Sequence, residues 1–339
     1  MSTKKITGYA ALAKGMPLEA FTYKTPRLKD SEVKVSISDC GLCFTDIQAI
    51  DDYYDITSYP FVPGHEVIGH VSEIGRSVSG LKEGDRVGIG WQGRSCGKCV
   101  WCRCGEVNLC QEIVDAASWT PYGGFSSSIN VDADFAYKIP DTSPSDRAAV
   151  LMCAGITVFA PLSQYSSVPS LRIGVIGIGG LGHLAIQFAK AFGYEVTAIS
   201  SSPGKKEEAL ALGADHFMVA SDKEVRLKHA YYFDVLLCTA HAGIDWVATL
   251  EMLRKRGNLL LAGFADIAFK PIDLIAHQLS ISGSFLGTQV QMKDMLQFAN
   301  DRSIQPMIEL MPMSQINQAI QRLKENKVRY RIVLHNDMN

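Results

Sequence analysis

Cys96, Cys99, Cys102 and Cys110 stand in a C-x2-C-x2-C-x7-C run, and the chemistry of that spacing is metal binding. Thiolates this close cannot pair as disulfides without strain. They can converge on one tetrahedral Zn2+ with Zn–S bonds of roughly 2.3 Å. Four sulfur ligands fill the coordination sphere and leave no place for a substrate, so such a metal is structural. A redox or disulfide loop is the alternative. Adjacent C-x2-C steps in a chain without a secretory signal favour the metal. Cys104 lies inside the loop but off the spacing and reads as a bystander thiol.

A second chemical signal is Gly177-Ile178-Gly179-Gly180-Leu181-Gly182, a G-x-G-x-x-G run directly after a predicted strand and at a predicted helix start. The first glycine makes the tight turn, the second lets backbone N–H groups approach a pyrophosphate, and the third permits close helix–strand packing. The helix N-terminus adds partial positive charge. The next strand ends in Ser200-Ser201-Ser202-Pro203-Gly204-Lys205-Lys206, with no carboxylate placed for a ribose 2′-hydroxyl. Glu195 falls too early and Glu207 lies in the next helix. Hydroxyls and an ammonium suit a 2′-phosphate, so NADP(H) is expected over NAD(H).

Three further residues lie in suggestive contexts. Cys43 sits in Cys40-Gly41-Leu42-Cys43-Phe44-Thr45-Asp46, His65 in Gly64-His65-Glu66-Val67-Ile68-Gly69, and Cys153 in Met152-Cys153-Ala154-Gly155-Ile156-Thr157. Two thiolates and an imidazole would leave one zinc position open, as a catalytic zinc requires. Spacing alone does not group them. Taken singly, each is more often a buried apolar cysteine or a satisfied histidine.

The elements that must position these groups fall into two patterns. Up to about residue 145 the chain is β-rich, with Val33–Ile37, Val67–Ile74 and Val87–Ile89 as strands and glycines at the corners, which suggests a partly open barrel. Beyond Pro144, strands at Ile173–Ile176, Val196–Ile199, Phe217–Val219, Val235–Cys238, Leu259–Ala262 and Leu279–Ser284 are expected. They alternate with helices at Leu181–Phe192, Lys205–Leu212 and around Ile244–Leu253. That alternation implies a doubly wound parallel sheet. A final strand, Tyr330–Leu334, is expected to rejoin the first domain. The expected layout is 1–148 plus 287–339 around an inserted 149–286.

The 339 residues suit two domains. Hydrophobic content of 47% with 20% charge is that of a soluble globular protein. A net charge of −2, from 33 basic and 35 acidic residues, gives no footprint for nucleic acid or an anionic membrane. The N-terminus shows no apolar run of signal-peptide length, and no stretch of 18 apolar residues is read along the chain. Nine cysteines suit a reducing compartment, so a cytoplasmic protein is expected. A metalloprotease is excluded, because His65-Glu66 is followed by His70 and not by a histidine at 69. The remaining histidines, His183, His216, His229, His241, His277 and His335, read as surface or satisfied core.

Taken together, these motifs resemble the zinc-dependent medium-chain alcohol dehydrogenases, and most closely their cinnamyl alcohol dehydrogenase branch. The resemblance runs end to end. It covers Cys43 to Asp46, Gly64-His65-Glu66, the four-cysteine lobe, Gly123-Gly124-Phe125, Met152-Cys153-Ala154-Gly155 and the Gly177 loop with its serine–lysine run. It ends with Ser282-Gly283-Ser284-Phe285-Leu286 and Val328-Arg329-Tyr330-Arg331. It implies a Rossmann domain inserted in a GroES-like barrel domain and two zinc ions per chain. Cys43, His65 and Cys153 would ligate the catalytic zinc, with Glu66 as an exchanging ligand and Cys40 outside the set. Asp46 would accept the imidazole N–H of His65, and Thr45 would hydrogen-bond the alcohol and carry its proton. Cofactor contacts would fall on Thr45, Thr157, the glycine loop, Ser200, Ser201, Ser202, Lys205, Thr239, Gly263, Ser284, Phe285 and Leu286, with Arg331 as a phosphate or ribose contact. The family also suggests dimers through the edge strand near Ile281.

Two departures from that family stand out. Phe44 replaces a histidine that follows the first zinc cysteine in relatives, and Gln48 replaces the histidine that ends their proton relay. An amide takes up no proton near pH 7, so slow alcohol oxidation at neutral pH is expected, with a relay that bypasses position 48 as the alternative. The implied reaction is alcohol–aldehyde interconversion with NADP(H), favouring aldehyde reduction. Trp91, Trp119, Phe285 and Leu286 are candidates to line a slot for aromatic or medium aliphatic substrates, with core packing as the alternative for the tryptophans. A zinc-free quinone or enone reductase would lack the ligands present here. A zinc-ribbon interaction module would have a basic face and no dinucleotide loop.

Overall fold

A computed structural model describes residues 5–24, 27–115 and 122–338, with the backbone alone at 114 and 115. The chain divides into two compact units. One comprises Met1–Cys153, Thr288–Asn300 and Pro306–Asn339; the other comprises Ala154–Gly287 and Asp301–Gln305.

Strand Glu32–Leu42 is the spine of the first unit. Its alternating Val33, Val35 and Ile37 point into the core, as period-two patterning demands. It pairs antiparallel with Val67–Ile74 along one edge. Along the other it pairs with Ser128–Asp132 at its start and Arg331–His335 at its end. The sheet order is Ile308–Pro312, Arg331–His335, Glu32–Leu42, Val67–Ile74, Arg86–Ile89, Ala136–Lys138. Phe61, Phe125, Val67 and Ile89 are fully buried in its core. The spine delivers Cys43 at its far end, and the strand beside it begins directly after Glu66.

The second unit is a six-stranded parallel sheet. Its order is His216–Val219, Glu195–Ser200, Arg172–Ile176, Phe233–Cys238, Leu253–Leu261, Ser280–Gly283. In order of appearance this is 3-2-1-4-5-6, the doubly wound arrangement of dinucleotide-binding folds. Helices cover the sheet, and its central strands are therefore apolar on both faces: Ile173, Val175, Leu236 and Leu237 are buried. Helix Gly182–Ala191 packs Leu184, Ala185, Ile186, Phe188 and Ala189 inward.

The helical run Ser145–Ser163 differs from the sequence reading. By length and hydropathy it could cross a membrane, yet 78% of its most apolar window is buried inside the protein, which is the signature of a core helix. A search for uninterrupted apolar residues passes over it, because charges at Asp146 and Arg147 and the hydroxyl of Thr157 break the run. The division between the units falls within this run, after Cys153, and residues 301–305 group with the second unit.

Candidate metal centre and dinucleotide loop

Cys43 caps the N-terminus of helix Phe44–Ile50 in an extended conformation. Three residues on, fully buried Asp46 accepts the Cys43 backbone N–H at 2.9 Å, the Gly64 N–H at 3.0 Å and His65 Nδ1 at 2.9 Å. One carboxylate therefore fixes the backbone at Cys43 and at Gly64, next to His65, together with the His65 ring. With Nδ1 held by Asp46, the other ring nitrogen is free to ligate, and His65 Nε2 is buried without a hydrogen-bond partner.

Glu66 completes the group. Its Oε1 accepts from Arg331 Nη2, while its Oε2 is buried and unpartnered. Gly41 makes this placement possible, since a Cβ there would run into the Glu66 side chain. Burial pushes the Glu66 carboxyl up to about 7, against the pull of Arg331. Cys153 lies in a π-helical turn, Leu151–Gly155, within the long helical run. Such turns displace one residue from the α-helical register and are frequent at functional sites.

Ligand atoms of Cys43, His65, Glu66 and Cys153 all lie within 4.8 Å of one another. The two thiols share a hydrogen bond: Cys153 donates to Cys43, holding the Cys43 thiol well below its ordinary pKa, and the same bond pushes Cys153 well up. Burial disfavours charge on His65, but Asp46 outweighs it and raises the imidazole well above its usual range. Two soft sulfurs, an imidazole nitrogen aimed by a carboxylate and an orphaned carboxylate oxygen form a donor set suited to zinc.

The four-cysteine lobe gathers just as tightly. Cys99 Sγ is 3.6 Å and Cys96 Sγ 3.9 Å from Cys102 Sγ, against the ~3.8 Å separation that four Zn–S bonds of ~2.3 Å impose. Cys110 Sγ accepts the Cys96 N–H, and Cys96 Sγ accepts the Cys99 N–H. Backbone hydrogen bonds at Cys102 and Gln111, with neighbouring thiols, lower the Cys99 thiol to about 6. All four ligand atoms fall within 4.8 Å of one another, and exposed Cys104 bonds instead to the Trp101 carbonyl.

In the second unit, the expected dinucleotide residues follow the carboxyl ends of the parallel strands. Gly177 follows Arg172–Ile176, Ser200 closes Glu195–Ser200, Thr239 follows Phe233–Cys238, Gly263 lies beyond Leu253–Leu261, and Ser284 follows Ser280–Gly283. Ligands of open α/β sheets bind at this edge. Gly177 adopts φ +88°, and a Cβ on Gly182 would strike the Gly177 carbonyl, so both positions require glycine. The Thr239 hydroxyl donates to the Gly177 carbonyl at 2.7 Å, which ties it to the loop itself. Lys205 Nζ reaches across to the Ile178 carbonyl at 2.6 Å. Ser200 is buried, whereas Ser201 and Ser202 are exposed. No carboxylate stands in the Ser200–Lys205 segment.

The other expected positions divide. Thr45 is half-buried on the first turn after Cys43, Thr157 is half-buried on Ile156–Ser163, Phe285 is exposed, and Leu286 adopts φ +54°. Trp91 is only 8% exposed, as core packing requires, and Trp119 lies outside the described residues. Arg331, read from the sequence as a phosphate or ribose contact, is 7% exposed with its guanidinium on Glu66. The signal for that pairing was an arginine opening the apolar strand Arg331–His335, because a buried charge needs a partner.

Comparison with known proteins bears on this geometry. Residues 29–141 match the family described as alcohol dehydrogenase GroES-like domain, and 180–301 match that described as zinc-binding dehydrogenase. The chain is similar to the cinnamyl alcohol dehydrogenase SbCAD4 of Sorghum bicolor, at 37% identity and TM-score 0.93, covering 98% of each chain. It is 36% identical to the aldehyde reductase AdhA of a Synechocystis strain, over 98% of this chain and 100% of that one. The structure of a cinnamyl alcohol dehydrogenase from Helicobacter pylori complexed with NADP(H) superimposes with TM-score 0.89, at 28% identity and 98% coverage of both. A dinucleotide-type sheet, a GroES-like unit and full-length likeness to these enzymes lead to one assignment: the chain belongs to the zinc-dependent medium-chain alcohol dehydrogenases, in their cinnamyl alcohol dehydrogenase branch.

Proposed function

We propose that this chain is an NADP(H)-dependent enzyme that interconverts primary alcohols and aldehydes, aromatic or medium aliphatic, and works chiefly in aldehyde reduction. The observation that carries the reading is the convergence of Cys43, His65, Glu66 and Cys153 donors within 4.8 Å, with His65 Nε2 left unpartnered. These residues would hold one zinc, and Cys96, Cys99, Cys102 and Cys110 a second. When bound at the first site, zinc supplies Lewis acidity to a substrate oxygen. The nicotinamide supplies or accepts the hydride.

The chain's own groups do the rest. Asp46 keeps the His65 ring in one orientation. Thr45, on the helix turn after Cys43, offers a hydroxyl to pass the substrate proton. Gln48 cannot take that proton near neutral pH, so slow alcohol oxidation at neutral pH is expected, while the reductive direction rests on the NADP(H) reading. Phe44 is 45% exposed and has no hydrogen bond to give a phosphate.

Support for NADP(H) is the absence of a carboxylate after Glu195–Ser200 and the presence of Lys205 across the glycine loop. The NADP(H) complex of the Helicobacter pylori relative and the aldehyde reductase from Synechocystis agree with this reading. In this account the first unit is the catalytic domain and the second the dinucleotide-binding domain. The strand Ser280–Gly283 ends its sheet with an open edge, on which a second copy would pair to make a homodimer.

Steady-state kinetics over a panel of aldehydes and alcohols with both cofactors test the proposal. The expected result is aromatic or medium aliphatic aldehyde reduction with kcat/KM at least about tenfold higher for NADPH than for NADH. Equal use of the two nucleotides would remove both the NADP(H) assignment and the basis for the reductive direction.

A further inference from the structure

His183 follows the last glycine of the dinucleotide loop, on the first turn of helix Gly182–Ala191, and is fully buried. The sequence alone leaves it as surface or satisfied core. A buried imidazole needs a polar partner, and Nδ1 lies 3.1 Å from the Gly179 carbonyl oxygen. A carbonyl only accepts, so Nδ1 carries the proton and donates. The same oxygen takes the His183 backbone N–H at 3.1 Å. Leu184, Ala185 and Ile186, next along the helix, are fully buried, so the ring is carried on a packed element.

Two other side chains tie the loop in the same way. Thr239 Oγ1 donates to the Gly177 carbonyl at 2.7 Å and Lys205 Nζ to the Ile178 carbonyl at 2.6 Å. Three successive carbonyls are thus each held by a side chain from a different part of the second unit. These peptide bonds are trans, and in a trans peptide the C=O of one residue and the N–H of the next point in opposite directions. Tying a carbonyl therefore aims the N–H that follows it. Thr239 sets the N–H of Ile178, Lys205 that of Gly179, and His183 that of Gly180. None of these three N–H groups meets an acceptor among the described residues. Ile178 is buried, whereas Gly179 is exposed and Gly180 half-buried, so the last two can be reached from outside. Nothing lies within 4 Å of the place a Gly179 Cβ would take. Packing requires glycine at 177 and 182 but not at 179, where the open space is left for a bound group.

We propose that His183 is a positioning residue for the dinucleotide: through the Gly179 carbonyl it keeps the Gly180 N–H turned outward, to donate to a pyrophosphate oxygen. The inference rests on the dinucleotide-binding reading and adds to it a residue outside the glycines. The imidazole acts through one peptide plane, not by touching the ligand. Asparagine carries a donor nitrogen on the same Cγ, and leucine carries none.

The test uses the full-length, zinc-loaded chain and its His183→Leu and His183→Asn variants. NADPH affinity is measured by nucleotide fluorescence. The affinity of adenosine 2′-monophosphate, which has no pyrophosphate, is measured by competition against NADPH. His183→Leu is expected to weaken NADPH binding by roughly tenfold and to leave adenosine 2′-monophosphate within about twofold of the parent. A merely structural role would move both affinities together. His183→Asn should regain most of the loss and bind NADPH within about threefold of the parent. In the parent chain itself, long-range nitrogen–proton NMR spectra should show the His183 ring protonated at Nδ1, a result that depends on no variant folding. The proposal is overturned if His183→Leu binds NADPH within about twofold of the parent, or if the ring carries its only proton on Nε2. It is likewise overturned if both affinities fall by the same factor in His183→Leu and His183→Asn alike. A parent chain that binds neither NADPH nor NADH would instead sink the dinucleotide reading, and this proposal with it.

Discussion

Asp46 accepts three hydrogen bonds, and each one holds a different part of the site: the Cys43 backbone, the Gly64 backbone next to His65, and the His65 ring. Asp46→Asn keeps the shape but removes the charge and turns half of the carboxylate into a donor. Facing two backbone N–H groups and an imidazole N–H, that donor has no acceptor. Zinc affinity at this site is expected to fall roughly 10- to 100-fold, measured by competition with a chromophoric chelator, while the four-cysteine site keeps its metal. Unchanged affinity at both sites would contradict this role. The family resemblance led to the bond on the His65 ring, whereas the bond to the Cys43 N–H, although a local three-residue pattern, was not read from the sequence. The bond to Gly64 spans 18 positions and the Arg331–Glu66 pair spans 265, and no local pattern announces either.

At the scale of elements, legibility followed periodicity. The strands that were expected stand close to where alternation and apolar runs put them, whereas Ser128–Asp132, Ala136–Lys138 and Ile308–Pro312 were not read; the glycine loop opens its helix at Gly182, one residue from the expected start. The π-helical turn that carries Cys153 has no sequence signature, because its register shift comes from packing and not from residue type. The joint between helix Gly182–Ala191 and strand Glu195–Ser200 was equally hidden. There Asp215 accepts from Lys190 Nζ and from the Val196 N–H. Burial pushes the Asp215 carboxyl up, but these two partners outweigh it and hold its pKa below the usual range. A depressed folded pKa means that the stabilisation is complete above the unfolded value of about 3.9 and is lost as pH falls through the folded one. Asp215→Asn should therefore lower stability by about 1 kcal/mol near neutral pH, discounted for partial exposure. Thermal melts should show the gap between the two proteins closing below about pH 4. A gap that persists undiminished to pH ~3 would rule this linkage out.

For the whole molecule, the bulk composition pointed to a soluble two-domain chain, and the long helix Ser145–Ser163 shows how far composition alone can mislead about a membrane. Its apolar residues serve the interior. The open edge at Ser280–Gly283 sets the expectation for assembly. Ile281→Pro removes a backbone donor from that edge strand, so sedimentation equilibrium should find a dimer for the parent chain and a monomer for the variant. A parent chain that sediments as a monomer at micromolar concentration would remove the dimer from the account.

The central claim, that residues from three distant stretches hold a catalytic zinc distinct from a structural one, is tested most directly by zinc stoichiometry of the purified chain and of Cys153→Ser, assayed alongside NADPH-dependent aldehyde reduction. The account predicts about two zinc per parent chain and about one in the variant, with aldehyde reduction lost. Equal zinc content in both proteins, with activity retained in the variant, would contradict it.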